Sequence, residues 1–281
     1  MERLKTYTLM VGLTLLFVWF GGMIGGQMGM LIALVFAIGT NFWAYYNSSE
    51  SVLSHYDAIP VDRAHASGLY EIVERLTKKA GLPLPSIYII PDKMPNAFAT
   101  GRDYEHSVVA VTEGLLELLS PEEVEGVIAH ELSHIKHYDM LIGTIVASLA
   151  GALATLANFG MFFGGGNSDE DRPNPIVMIV LMIVMPLLAS LIQMMVSRSR
   201  EYMADEGAAR LTGHPEWLQN ALLKLESYAH QGVVHNATPE TSHLFIVNPL
   251  TGRELSFKSM FSTHPSTEDR VERLEELKGR V

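Results

Sequence analysis

The sequence predicts a mainly α-helical fold with a small β-sheet, laid out as a polytopic membrane protein: four transmembrane helices and a cytoplasmic domain that they divide in two. Three observations carry this reading. Residues 7–46 contain no charged side chain, two further uncharged runs occupy 140–163 and 175–196, and the charged residues gather in amphipathic stretches between and after them.

At about 20 residues per crossing, the first run is long enough for two membrane helices. They fall at about 7–24 and 28–46, a hairpin over 1–46 that turns in the glycine-rich GGMIGGQMG at 21–29. A cleaved signal peptide is the competing explanation, but the run is too long for one and no small-residue cleavage site with a polar sequel follows it. A second hairpin fills 140–196, with spans at 140–163 and 175–196 and an outer loop at 164–174. Both runs exceed the length at which a buried core helix of a soluble protein is the better explanation. In the third span Ala147, Gly151 and Thr155 make a small-residue stripe that suits close packing in lipid. A weak glycine-containing helix would give the same letters.

Orientation follows from lysine and arginine. Arg3, Lys5, Lys136, Arg198 and Arg200 flank the apolar runs, whereas the loop GGGNSDEDRPN is acidic with a single arginine. The positive-inside rule then puts both termini and the parts at 47–139 and 197–281 in the cytoplasm, and the acidic loop outside. Composition also excludes. Without cysteine there are no disulfides and no cysteine-built zinc sites, so histidine and carboxylate remain as transition-metal ligands. A formal net charge of −11 with no basic stripe argues against nucleic acid as a partner.

Within the first cytoplasmic part, residues 61–85 predict a helix with Leu69, Ile72, Val73 and Leu76 on one face and Gly81 as its stop. SIYII (86–90), NAFAT (96–100) and SVVAV (107–111) follow as short strands between turn residues. The next helix has a full start signal: Ser120 as N-cap, Pro121 in the first position and Glu123 closing a capping box. Val124, Val127, Ile128 and Ile135 carry it onward, with little or no break, into the span at 140–163. In the second part, SRSREYMADEGAARLTG predicts a helix ending at Gly213 and PEWLQNALLKLESYAH another. HLFIVNPL at 243–250 is a strand candidate, and Ser266 caps a final helix.

Inside the capped helix stands HELSH, which matches H-E-x-x-H. His130 and His134 lie one turn apart on one face, so both imidazoles can share a zinc, with Glu131 between them as general base. A hydrolytic zinc needs a third protein ligand and an open position. His137 lies about 10.5 Å along the axis from His130, too far for a tetrahedral set. Glu201, in SREYMADE, is the better candidate. The chain between is almost wholly the second hairpin, which returns its ends to each other at similar heights, about 12 Å for His134 and about 7.5 Å for Glu201 above the apolar run. Asp205, four residues on, shares that face and can accept the second N–H of a ligating histidine. The competing explanation for Glu201 and Asp205 is a solvated helix face.

Taken together, the four apolar runs, HELSH, SRSREYMAD and the late HPSTEDR resemble the HtpX family of membrane-bound zinc metalloproteases over essentially the whole chain. The resemblance implies a zincin-like (gluzincin) catalytic domain and one Zn2+ per chain held by His130, His134 and Glu201, with Glu131 as the base. It also implies a place in a bacterial or archaeal inner membrane and a part in membrane protein quality control, with polypeptides, chiefly membrane proteins, as substrates and the lipid bilayer as surroundings. His264, with Arg270 six residues later, resembles an HPxxxxR segment of related enzymes, which makes His264 a candidate oxyanion stabiliser and Arg270 its neighbour in the site. A helix-entry histidine with a surface arginine explains the same letters. Asn96 and Ala97 would contact substrate if NAFAT is an exposed edge strand rather than an interior one. A prenylated-CAAX protease and a non-enzymatic membrane scaffold with a degenerate site are the alternatives; four spans leave little room for the many-helix chamber of the first.

Overall fold

The structure is a computed structural model of the 281-residue chain and describes residues 2–139, 198–230, 246 and 265–281. The expected spans at 140–163 and 175–196, all but Ile246 of the expected strand at 243–250, and His264 lie outside the described residues.

Residues Glu2–His55 form α1, broken at Gly25 (φ −130°, ψ 15°) and Gly26 (φ 58°, ψ −143°). Gly26 takes a conformation that a Cβ would obstruct, which is why the turn falls in the glycine cluster. The two arms then run side by side. Asn41 Nδ2 donates to the Met10 carbonyl (3.2 Å) and to Thr14 Oγ1 (2.8 Å), and the Phe17 and Phe36 rings meet edge-on with centroids 6.1 Å apart. Near the turn the backbones touch: a Cβ on Gly29 would lie 2.1 Å from the Gly21 carbonyl oxygen. Among the described residues, Gly25–Asn47 is the one stretch long and apolar enough to cross a membrane, and Met10–Trp19 is a shorter apolar helix. The second arm continues past its apolar part, and Val52 and Leu53 bury against Ile90, Phe98, Val108 and Ala110.

Four strands follow in a mixed sheet of order β1-β2-β4-β3: β1 (Ile59–Pro60), β2 (Ser86–Ile90), β3 (Ala97–Gly101) and β4 (Ser107–Thr112). β2 and β4 are parallel, and the other two pairings are antiparallel. Central β4 is buried along its whole length, as its run of small and β-branched residues anticipates for a strand covered on both faces. β3 forms an edge. α2 (Ser67–Ala80) buries Leu69, Val73 and Leu76 and ends at left-handed Gly81, and α3 (Glu113–Leu118) starts from a Thr112 cap.

α4 (Pro121–His137) is the centre of the packing. Its capping box is complete: Ser120 Oγ accepts from the Glu123 amide (3.4 Å) and Glu123 Oε2 from the Ser120 amide (2.8 Å). Val127, Ile128, Leu132 and Ile135 join the main core with Val73, Val109, Val111 and Leu115. α5 (Arg198–Thr212) and α6 (Pro215–His230) pack on it, and α7 (Thr267–Leu277) packs on α5 and α6. Gly126 lets α4 and α6 meet closely, since a Cβ there would lie 2.7 Å from the Leu218 amide nitrogen.

The expected continuation of α4 shows a short break: Tyr138, with a left-handed backbone (φ 61°, ψ 23°), returns its amide to the His134 and Ile135 carbonyls, and Asp139, the last described residue before the apolar run, is helical again. A non-glycine residue in that region costs about 1–2 kcal/mol. Ring stacking of Tyr138 on Tyr104, centroids 4.1 Å apart, and a Tyr104 hydroxyl bond to the Lys136 carbonyl (2.8 Å) offset it.

Candidate metal centre

The buried face of α4 presents His130 and His134 one turn apart, ring planes nearly perpendicular. Their Nε2 atoms face each other at 3.1 Å. From α5, Glu201 reaches the same point, with Oε2 3.6 Å from His130 Nε2 and Oε1 3.6 Å from His134 Nε2. One ligand atom from each of the three residues falls within 4.8 Å of the others. A tetrahedral zinc with ligand bonds of 2.0–2.1 Å sets its donors about 3.3 Å apart. The observed spacings bracket that value, and two imidazoles with one carboxylate are the donor set of an open, hydrolytic zinc site. The arrangement can therefore hold a divalent metal through His130, His134 and Glu201.

Glu131 points from the adjacent face of α4 toward the sheet, where its Oε2 accepts the Ala99 amide of β3 at 2.8 Å. Only 5% of the residue is exposed. Burial pushes its carboxyl above the usual range and Glu201 adds to the effect, against the pull of His130, His134 and the Ala99 amide. A carboxyl so raised is suited to taking up and returning a proton.

Behind each histidine stands an aspartate. Asp205 Oδ1 lies 3.0 Å from His130 Nδ1. Arg270 of α7 grips that carboxylate by two bonds, Nε to Oδ2 at 2.9 Å and Nη2 to Oδ1 at 2.7 Å, and donates a third to the Ile246 carbonyl at 2.9 Å. Burial raises the Asp205 carboxyl, but the Arg270 charge and the bonds from His130 and Arg270 outweigh it and hold it below the usual carboxylate range. On the other side Asp139 Oδ2 sits 3.1 Å from His134 Nδ1, with Arg200 Nη1 3.7 Å from Asp139 Oδ1. Burial lowers the His134 pKa, yet the Asp139 bond and the charges of Glu201, Glu131 and Asp139 push it up to about 9.

The sequence points to Asp205 and Arg270 as site residues, but it marks Arg200 only as a flank of an apolar run and Asp139 not at all. In an unbroken helix residues five apart point about 140° away from each other, so spacing offers no signal for Asp139. The break at Tyr138 supplies it. Of the remaining candidates, His137 is exposed on α4 away from the cluster and His264 is outside the described residues. Ala97 is buried on edge strand β3, and because Ala99 turns its amide away from β4, alternation turns the Ala97 backbone the same way. Asn96 differs. Its carbonyl accepts the Thr112 amide (2.9 Å), its amide donates to Thr112 Oγ1 (2.8 Å), and its Oδ1 accepts the Ile246 amide (3.3 Å). Its backbone is thus committed to the fold.

Residues 64–278 match the model of peptidase family M48. The chain is 68% identical over 278 residues to a protease HtpX homolog of Sulfurovum sp. (strain NBC37-1), covering 99% of this chain and 100% of the relative. It is 56% identical over 281 residues to a protease HtpX homolog of Campylobacter hominis, covering 99% of each. The crystal structure of S. mikatae Ste24p shares the fold with a TM-score of 0.55 at 20% identity, over 98% of this chain and 65% of that one.

Proposed function

The chain belongs to peptidase family M48 and, within it, to the HtpX metalloproteases; from that premise we propose a zinc-dependent endopeptidase of the cytoplasmic membrane that cuts cytoplasmic regions of misfolded or damaged membrane proteins. Membership makes it a membrane-associated metalloprotease. The observation that supports the finer reading is the convergence of His130, His134 and Glu201 beside Glu131, which itself is tied to the sheet edge.

His130, His134 and Glu201 are the ligands in this reading, and Glu131 is the base. A zinc ion held by these residues would supply a Lewis acid that polarises a peptide carbonyl and acidifies water. Glu131 takes the proton released by water as it attacks the carbonyl, then returns it to the departing amine nitrogen. The Ala99 amide keeps Oε2 in place during this exchange and leaves Oε1 to handle the proton. An extended substrate pairs with the outward backbone of β3 at Ala97, by strand addition. Asn96 supports that edge from behind. His264 donates to the developing oxyanion, and Arg270 steadies Asp205 behind His130. Four spans, at about 7–24, 28–46, 140–163 and 175–196, keep both catalytic parts, 47–139 and 197–281, on the cytoplasmic face.

The test is purification in detergent without metal, then zinc add-back with an unfolded protein as substrate. Wild type is expected to cleave only after zinc is added, and Glu131→Gln to bind zinc without cleaving. Cleavage by Glu131→Gln would sink the assignment of the base. Undiminished turnover in His264→Phe would remove that residue from the site.

A further inference from the structure

We infer that Asp139, ion-paired with Arg200, is the positioning residue for His134: it fixes the imidazole through Nδ1 so that Nε2 faces the metal position. The inference rests on the reading of His134 as a ligand.

Its geometry is that of a relay ending at the metal position. Asp139 Oδ2 lies 3.1 Å from His134 Nδ1, and the opposite ring nitrogen, Nε2, is the one that faces His130 and Glu201. Arg200, 6% exposed, sits against the other oxygen of the same carboxylate. His130 has a related arrangement by a separate route, with Asp205 Oδ1 3.0 Å from its Nδ1 and Asp205 gripped by Arg270. Two histidines, two aspartates and two arginines therefore make two parallel chains of contact. A ligating imidazole whose far nitrogen meets a carboxylate is locked in tautomer and in rotation, and is a more basic ligand.

Asp139 reaches His134 because the helix is interrupted at Tyr138. Left-handed Tyr138, stacked on Tyr104, swings the next residue back over the last turn. Arg200 immediately precedes Glu201 in α5, so the pair also joins the end of α4 to the start of the element that carries the third ligand. The competing role is a plain structural clamp between α4 and α5, which would lower stability on removal but leave metal affinity alone.

The full chain in detergent, stripped of metal, separates these roles by zinc affinity measured in competition with a chelator and by the visible spectrum of the Co2+-loaded protein. Asp139→Ala is expected to weaken zinc about 10–100-fold and to shift the cobalt spectrum. Asp139→Asn, which keeps an oxygen that accepts Nδ1–H, should recover part of the affinity. Glu125→Gln, which disrupts the remote Arg75–Glu125 pair on α2 and α4, controls for stability and should leave zinc affinity and spectrum at wild-type values. Should neither Asp139 variant fold, Arg200→Gln carries the test, with a loss of several-fold expected from the weakened hold on the carboxylate. Asp139→Ala, or Arg200→Gln in its place, binding zinc within twofold of wild type with an unchanged cobalt spectrum overturns the inference, whatever the melting temperature. Wild type that takes up no zinc overturns the ligand reading itself and the inference with it. Zinc-binding wild type beside an equally tight Asp139→Ala refutes the positioning role alone.

Discussion

Arg270 is among the most deeply buried side chains of the described residues, and it is charged. Such a group is tolerated only when its hydrogen bonds are met, and here Asp205 and the Ile246 carbonyl meet them. Arg270→Met should cost about 3–5 kcal/mol, because it strands a buried carboxylate. Denaturant unfolding of the metal-free protein measures this, and Asp205→Asn in the same chain should restore part of the loss by removing the stranded charge. Gly126→Ala should cost about 1–3 kcal/mol by forcing a methyl against the backbone of α6, with the same readout. Residues at this scale were legible wherever chemistry and helical spacing coincide. His130, Glu131 and His134 follow from one turn of helix, and Asp205 follows from its four-residue offset from Glu201. The grip of Arg270 on Asp205 crosses 65 positions of sequence, a distance at which no periodicity speaks.

The glycine stops at Gly81 and Gly213 were legible, whereas the helix expected from residue 61 begins only at Ser67. Ser120, Pro121 and Glu123 announce the start of α4 because each satisfies or replaces an amide with no partner in the first turn. Ser120→Ala should therefore cost about 1 kcal/mol, seen as a lower denaturant midpoint with an unchanged slope. The end of α4 carries no glycine or proline at Tyr138, and the stacked Tyr104 comes from a loop 34 residues earlier, so the stop is a tertiary effect. β4 was legible from composition alone, since a strand covered on both faces need not alternate. NAFAT was placed correctly as a strand one residue early: Asn96 pairs with Thr112 through its backbone but precedes the start of β3 at Ala97.

At the scale of the whole chain, the absence of charge over residues 7–46 located the first hairpin, and Asn41 with Thr14 shows the two arms returning on each other. The docking of its second arm on the sheet had no such signal, because Val52 and Leu53 look like any apolar pair beyond a membrane run. If the metal joins α4 and α5 as proposed, zinc at 100 times its dissociation constant should stabilise the fold by about 2.7 kcal/mol, and a chelator should lower the melting temperature accordingly. The arm that carries Gly25–Asn47 reaches Leu53 without a break, about 9 Å farther along the helix. If that stretch crosses the bilayer as proposed, the arm would act as a ruler standing on the lipid. A polypeptide emerging from the same membrane would then have to trail about three extended residues before it drew level with the strand beside Glu131. On that proposed topology, shorter stubs would fall short of the strand, and the enzyme would distinguish a loop that has come loose from one still lying tight against its membrane.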